Sequence, residues 1–166
     1  IFHFGDGQPA QKNLTKRKTR ESILSPYNIL LFMKGRVEVR VRYIEIDQMG
    51  VVNNVNYFRW LEEGRVELLR DLGMPVIDIE KAGTVLMIAE TQCNYLSPAR
   101  YDELLILETW VSHVGNKSIR FDYRIMRKED EKEIARAHTV HVTTDKGVKS
   151  KPIPSKLKKI LLEAKE

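Results

Sequence analysis

The sequence holds one cysteine in 166 residues, Cys93. That excludes an internal disulfide framework and a thiolate metal cluster, and it fits a reducing, cytoplasmic setting. No apolar run reaches the roughly 20 residues of a membrane-crossing helix, so no span is expected. Histidine is scarce, four in all, and no His/Asp/Glu group has metal-ligand spacing. Neither a metal nor a cofactor is expected. Net charge is small, +5, and unevenly placed: residues 1–32 carry five Lys/Arg against two Asp/Glu, and the other 134 carry 23 against 21. The basic stretch at 12–20 reads as a solvated tail. The patterned part has no interleaving of aromatic and basic residues, so nucleic acid is not expected as a partner.

The first part of the chain lacks a sustained period and is rich in loop-forming residues. Residues 1–32 therefore read as an N-terminal extension, flexible or foreign to the domain, and 33–166 as one domain large enough to bury a core.

Patterning begins at Val37. Val37, Val39, Val41 and Tyr43 alternate with Glu38, Arg40 and Arg42, which predicts a half-buried strand with Tyr43 on the core side. The alternation breaks at Ile44–Ile46, where a bulge or strand end would re-aim Asp47. Gly50 closes a turn that calls for positive φ. A helix is expected over 54–72, with Asn53 or Asn54 as N-cap, Gly73 as the stop, and a buried stripe of Tyr57, Leu61, Gly64, Leu68 and Leu72. Gly64 costs about 1 kcal/mol in mid-helix, which points to close approach of the helix to a sheet. Four further strands follow, near 84–96, 104–114, 118–128 and 133–144, and a short helix after Pro154. Residues 84–96 are apolar on both faces at first, which predicts a central, covered strand. One long helix against a five-stranded antiparallel sheet makes an α+β domain.

The residues with chemical potential crowd the first strand-to-helix join, "EIDQMGVVNNVNYFRW" (45–60). The first turn of a helix has free N–H groups and the positive end of the dipole, so it can polarise a carbonyl oxygen. A carboxylate beside it could attack that carbonyl or activate water. Asp47, seven residues before Asn54, could reach the same pocket if the intervening loop folds back. Spacing alone favours the plainer reading, in which Asp47 only caps the loop or the helix.

"VRYIEIDQMGVVNNVNYFRWLEEGR" resembles the signature of hotdog-fold acyl-CoA thioesterases of the 4-hydroxybenzoyl-CoA thioesterase type. Val41, Arg42, Tyr43, Asp47, Gly50, Val51, Val52, Tyr57, Glu62 and Arg65 fill its positions. "YLSPARYDELL" (95–105) resembles the second signature of that family. The resemblance implies a hotdog fold and hydrolysis of acyl-CoA thioesters. It places the catalytic carboxylate at Asp47 and the carbonyl-binding N–H at Asn54, with Asn53 beside it and Glu62 as the helix glutamate. It further implies a homodimer or homotetramer, with sheets continuous across the dimer and sites formed between subunits. Asn53–Asn54 stand where many such proteins have a His-containing pair, and "VNNVNY" is similar to plant-type acyl-acyl-carrier-protein thioesterases. The acyl carrier is therefore open between coenzyme A and carrier protein, and a non-catalytic acyl-CoA binder is a further alternative.

Substrate-binding candidates are Gly50, Val51, Tyr57 and Phe58 around the join, Lys117 and Ser118 at a turn, and Lys156 and Lys158 in the tail helix, the lysines for coenzyme A phosphates. The same lysines could equally serve only to solubilise the surface. Cys93 reads as core filler and His141 as part of a polar strand face.

Overall fold

The structure, a computed structural model, describes residues 34–166. The expected extension, 1–32, and the first residue of the expected domain lie outside the described residues. The elements run β1 (Gly35–Arg40), α1 (Asn54–Asp71), α2 (Val76–Lys81), β2 (Val85–Tyr95), β3 (Leu104–Val114), β4 (Ser118–Arg127), β5 (Glu133–Thr144) and α3 (Ser155–Glu163). The five strands form one antiparallel sheet in the order β1-β3-β4-β5-β2. α1 lies against β1 and β3, and α3 against β3. This is the α+β arrangement the pattern predicts, with the short helix α2 after Pro75 as an addition.

Alternation explains the core. On β4, Ile119, Phe121, Tyr123 and Ile125 are buried, while Arg120, Asp122 and Arg124 face outward and are half-buried. Leu105, Leu107 and Val111 of β3 and Ile134, Ala135 and Ala137 of β5 join them, and Tyr57, Leu61, Leu68 and Leu69 come down from α1. These side chains leave water at about 25 cal/mol per Å² of apolar surface. Gly64 is where α1 comes closest to the sheet: an added Cβ would sit 2.7 Å from Leu107 Cδ2 and would collide with Thr109 Oγ1.

Three expectations need correction. β2 is an edge strand, not a central one, and it exposes Met87, Ile88 and Tyr95, with Leu96 exposed just beyond its end. Apolar residues on both faces call for cover, and among the described residues no further strand pairs with this edge. β1 ends at Arg40, and a single 3₁₀ turn (Tyr43–Glu45) turns Tyr43 out to 80% exposure while Glu45 takes the buried place. His141 lies in the core rather than on a polar face, fully buried beside Phe121 with ring centroids 5.5 Å apart.

The close contact at Gly64 carries a prediction. Alanine is favoured over glycine in a helix by about 1 kcal/mol, but here the methyl would push α1 off β3 at a cost of about 1–3 kcal/mol. Gly64→Ala should therefore lower the unfolding free energy in a denaturant titration. An increase would show that the helix has room to move.

Candidate active site

The loop between β1 and α1 is fixed by a buried carboxylate. Glu45 Oε2 accepts the Arg42 backbone N–H at 2.8 Å. Its Oε1 accepts Arg42 Nε at 3.1 Å, Arg42 Nη2 at 2.7 Å and the Trp60 indole N–H at 3.3 Å. The Glu45 carbonyl accepts Asn53 N–H at 2.9 Å and Asn56 Nδ2 at 3.1 Å. Glu45 thus joins the end of the 3₁₀ turn to the first two turns of α1. Burial pushes its pKa up, but the bonds from the Arg42 side chain, the Arg42 N–H and Trp60 together hold the carboxyl below the usual glutamate range.

Between these anchors the chain makes a tight excursion. Asp47 N–H donates to Val51 O at 2.9 Å, and Gly50 N–H to Asp47 O at 3.0 Å, with Gly50 at φ 73°. The second signature segment closes the other side: Val52 N–H donates to Ala99 O at 2.9 Å, and Asp102 N–H to Val41 O at 3.1 Å. The two sequence signatures are therefore neighbours in space.

A cavity of about 440 Å³ opens here, lined by Asp47, Val51, Asn53, Asn54 and Tyr57 on one side and by Tyr95 and Pro98 on the other. Asp47 Oδ1 accepts Met49 N–H at 2.8 Å; among the described residues no hydrogen bond or ion pair engages Oδ2. At the start of α1, Asn53 caps the helix, its Oδ1 accepting Val55 N–H at 3.0 Å. Asn56 N–H turns back to Asn53 O at 3.0 Å. Asn54 N–H has no acceptor among the described residues, so one first-turn donor is left to face a ligand. The Tyr57 ring meets Tyr95 edge-on at 4.9 Å and Trp60 at 5.1 Å. Burial pushes its hydroxyl up to about 12, so it stays protonated. Burial also raises the Cys93 thiol, consistent with a packing role.

Of the expected site residues, Asp47, Asn53, Asn54, Val51 and Tyr57 border this one cavity. Gly50 shapes its loop. Glu62 and Phe58 do not share it; they line a second hollow, one and two turns further along α1 from Asn54. Lys117 donates to Ser150 Oγ at 3.3 Å at the β3–β4 turn beside Ser118, and Lys158 borders a hollow on α3 near Lys156. None of these four touches the Asp47 cavity. Sequence reasoning missed the Glu45 clamp and the wall from Tyr95 to Pro98. The second signature, 95–105, was the signal for that wall. Among the described residues no three His, Cys, Asp or Glu side chains converge as a metal site, and no helix is long and apolar enough to cross a membrane.

A carboxylate across a cavity from a free helix N–H, on one long helix over a five-stranded antiparallel sheet, defines a hotdog-fold domain of thioesterase type. The chain belongs to the thioesterase-like superfamily, whose family model matches residues 41–161. It is 35% identical over 112 residues to YneP of Bacillus subtilis, assigned as an acyl-CoA thioesterase; the match covers 68% of this chain and 80% of that one. It is 31% identical over 122 residues to the chloroplastic acyl-acyl carrier protein thioesterase ATL3 of Arabidopsis thaliana, covering 74% of this chain and 64% of that one. The crystal structure of a hypothetical protein from Thermus thermophilus superposes with a TM-score of 0.73 at 29% identity, over 77% of this chain and 97% of that one.

The clamp sets a pH dependence. A carboxyl whose folded pKa is depressed contributes stability that is fully present above its unfolded pKa and is lost as pH falls through the folded value. Glu45→Gln should lower stability at neutral pH by about 1–3 kcal/mol and reduce the loss on acidification below the usual glutamate range. Denaturant titrations at several pH values check this; parallel curves for both proteins would refute it.

Proposed function

We propose that the protein hydrolyses acyl-CoA thioesters, with Asp47 and the Asn54 N–H as its reacting pair. The observation that carries this reading is their placement on one cavity, with Asp47 Oδ2 and the Asn54 donor both unengaged among the described residues. The thioester oxygen would rest on the Asn54 N–H, where the positive end of α1 stabilises the charge that develops on it. The Asp47 carboxylate would attack the carbonyl carbon directly, expelling the thiolate and leaving a mixed anhydride that water then cleaves, or it would take a proton from an attacking water; both routes need the same placement. The departing thiolate needs little protonation, because a thiol has a pKa of about 8.5. One carboxylate and one helix end therefore suffice without a Ser–His–Asp set.

Similarity to an acyl-CoA thioesterase supports coenzyme A as the carrier. Similarity to ATL3 favours a second reading, an acyl carrier protein. Thiol release from acyl-CoA and from acyl-carrier protein, measured side by side, separates the two. Asp47→Asn should reduce turnover on the preferred substrate by about 100-fold to 10,000-fold with the thermal midpoint unchanged. Turnover near the wild-type rate would remove Asp47 from the mechanism.

The assembly we infer is a homodimer or higher homo-oligomer joined at β2. The support is an eleven-residue outer strand that exposes Met87 and Ile88, an edge that proteins rarely leave open. Light scattering should give at least two chains per particle, and Ile88→Asp should shift the mass towards one. A wild-type monomer at micromolar concentration would exclude it.

A further inference from the structure

The opening of α1 leaves one backbone donor free, and the bonds that do so lead to Asn56. The first four N–H groups of an α-helix have no partner inside it. Here Asn53 N–H donates to Glu45 O at 2.9 Å, Val55 N–H to Asn53 Oδ1 at 3.0 Å and Asn56 N–H to Asn53 O at 3.0 Å. Asn54 N–H, the donor assigned to the thioester oxygen, is the one without an acceptor among the described residues.

Asn56 is 6% exposed and does not line the Asp47 cavity. A buried amide needs partners at both ends. Its Nδ2 lies 3.1 Å from Glu45 O and 3.4 Å from Asn53 O, and its Oδ1 accepts Arg59 Nη1 at 3.3 Å. Two carbonyls on one side and a guanidinium on the other fix the amide one way round, with its NH2 towards the carbonyls. Every one of these partners belongs to the same chain. A peptide unit is planar, so its carbonyl oxygen and its N–H point in opposite directions and turn together. Asn53 O belongs to the unit that carries the Asn54 N–H. Glu45 O belongs to the unit that ends at Ile46, one residue before Asp47. The bond to Asn53 O therefore helps to set where the Asn54 N–H points, and by drawing charge onto that oxygen it makes the same N–H a stronger donor. The bond to Glu45 O ties this unit to the segment that carries Asp47. The loop between them is closed by the Ile46–Val52 bridge and by Asp47 N–H on Val51 O at 2.9 Å.

We propose that Asn56 is a positioning residue for thioester hydrolysis: its side-chain amide links the peptide that carries the Asn54 N–H to the segment that carries Asp47, and so aims the donor at the thioester oxygen. This rests on the thioester-hydrolase reading and adds a residue that acts through its donor. The Asn54 N–H gains most when the carbonyl oxygen takes up charge in the transition state. A misaimed donor should therefore cost turnover rather than substrate affinity.

Two variants of the full chain test this. Asn56→Ala removes the amide, and Asn56→Leu removes its donors while keeping the bulk. On whichever of acyl-CoA and acyl-carrier protein the wild-type protein hydrolyses faster, a folded variant of either kind should lose about tenfold to 100-fold in kcat, with KM within about threefold. A 13C-labelled ketone analogue of that substrate, with a methylene in place of the sulfur, reports on the donor itself. Its bound carbonyl stretch should lie at higher frequency in the variants, because the hydrogen bond to its oxygen is weaker. Wild-type kcat in a folded variant overturns the proposal, and so does a reduced kcat with the carbonyl stretch unmoved. The wild-type protein supplies a check that needs no variant: by NMR, the Asn56 side-chain NH2 protons should exchange slowly with solvent. Exchange at the rate of a free amide overturns the link. If the wild-type protein hydrolyses its thioester and the variants match it, only the role of Asn56 falls. If it releases no thiol from either thioester, the hydrolase reading falls and takes the proposal with it.

Discussion

The site depends on one interaction, the buried Glu45 carboxylate held by Arg42 and Trp60. Its side chain pins the turn that ends the first strand segment, and its carbonyl receives two groups from the start of α1. The loop 47–52 is therefore stretched between two fixed points. Only Asp47 and the residues around it have room to face a ligand. A carboxylate taken out of water is expensive unless its oxygens are filled with donors; here they are, and the same donors fix the distance from Asp47 to Asn54.

α1 borders two cavities along its length. Its first turn supplies a cap, a free N–H and Tyr57 to the Asp47 cavity. The next two turns supply Phe58, Leu61, Glu62 and Arg65 to the second hollow. The rise of about 1.5 Å per residue separates these sets along the helix axis while keeping them within a few turns.

Much of this was legible in the chain itself, and the failures have physical reasons. The period of two in β4 and the three- and four-residue spacing in α1 mark buried faces, and both were read correctly. Gly64 was legible because a mid-helix glycine needs a packing reason, and Leu107 and Thr109 provide it. Tyr43 was misplaced because alternation cannot show where a strand ends and a turn begins. β2 was misplaced because an apolar strand looks the same in sequence at the centre of a sheet and at its edge. His141 was read as polar from its threonine neighbours, although those threonines face the same interior and hydrogen-bond it there. The Asp47–Asn54 pairing came through resemblance, since only the fold closes the gap between them.

The missing side chain at Gly64 has a consequence for how such a domain diversifies. With its backbone seated directly on Leu107 and Thr109, the long helix has no slack to slide or lift. Room for a bulkier ligand must then come from trimming side chains that line the Asp47 cavity, at positions such as Val51, Tyr57 and Tyr95. Selectivity in this architecture is carved from a stationary mould, one residue at a time, rather than set by a moving part.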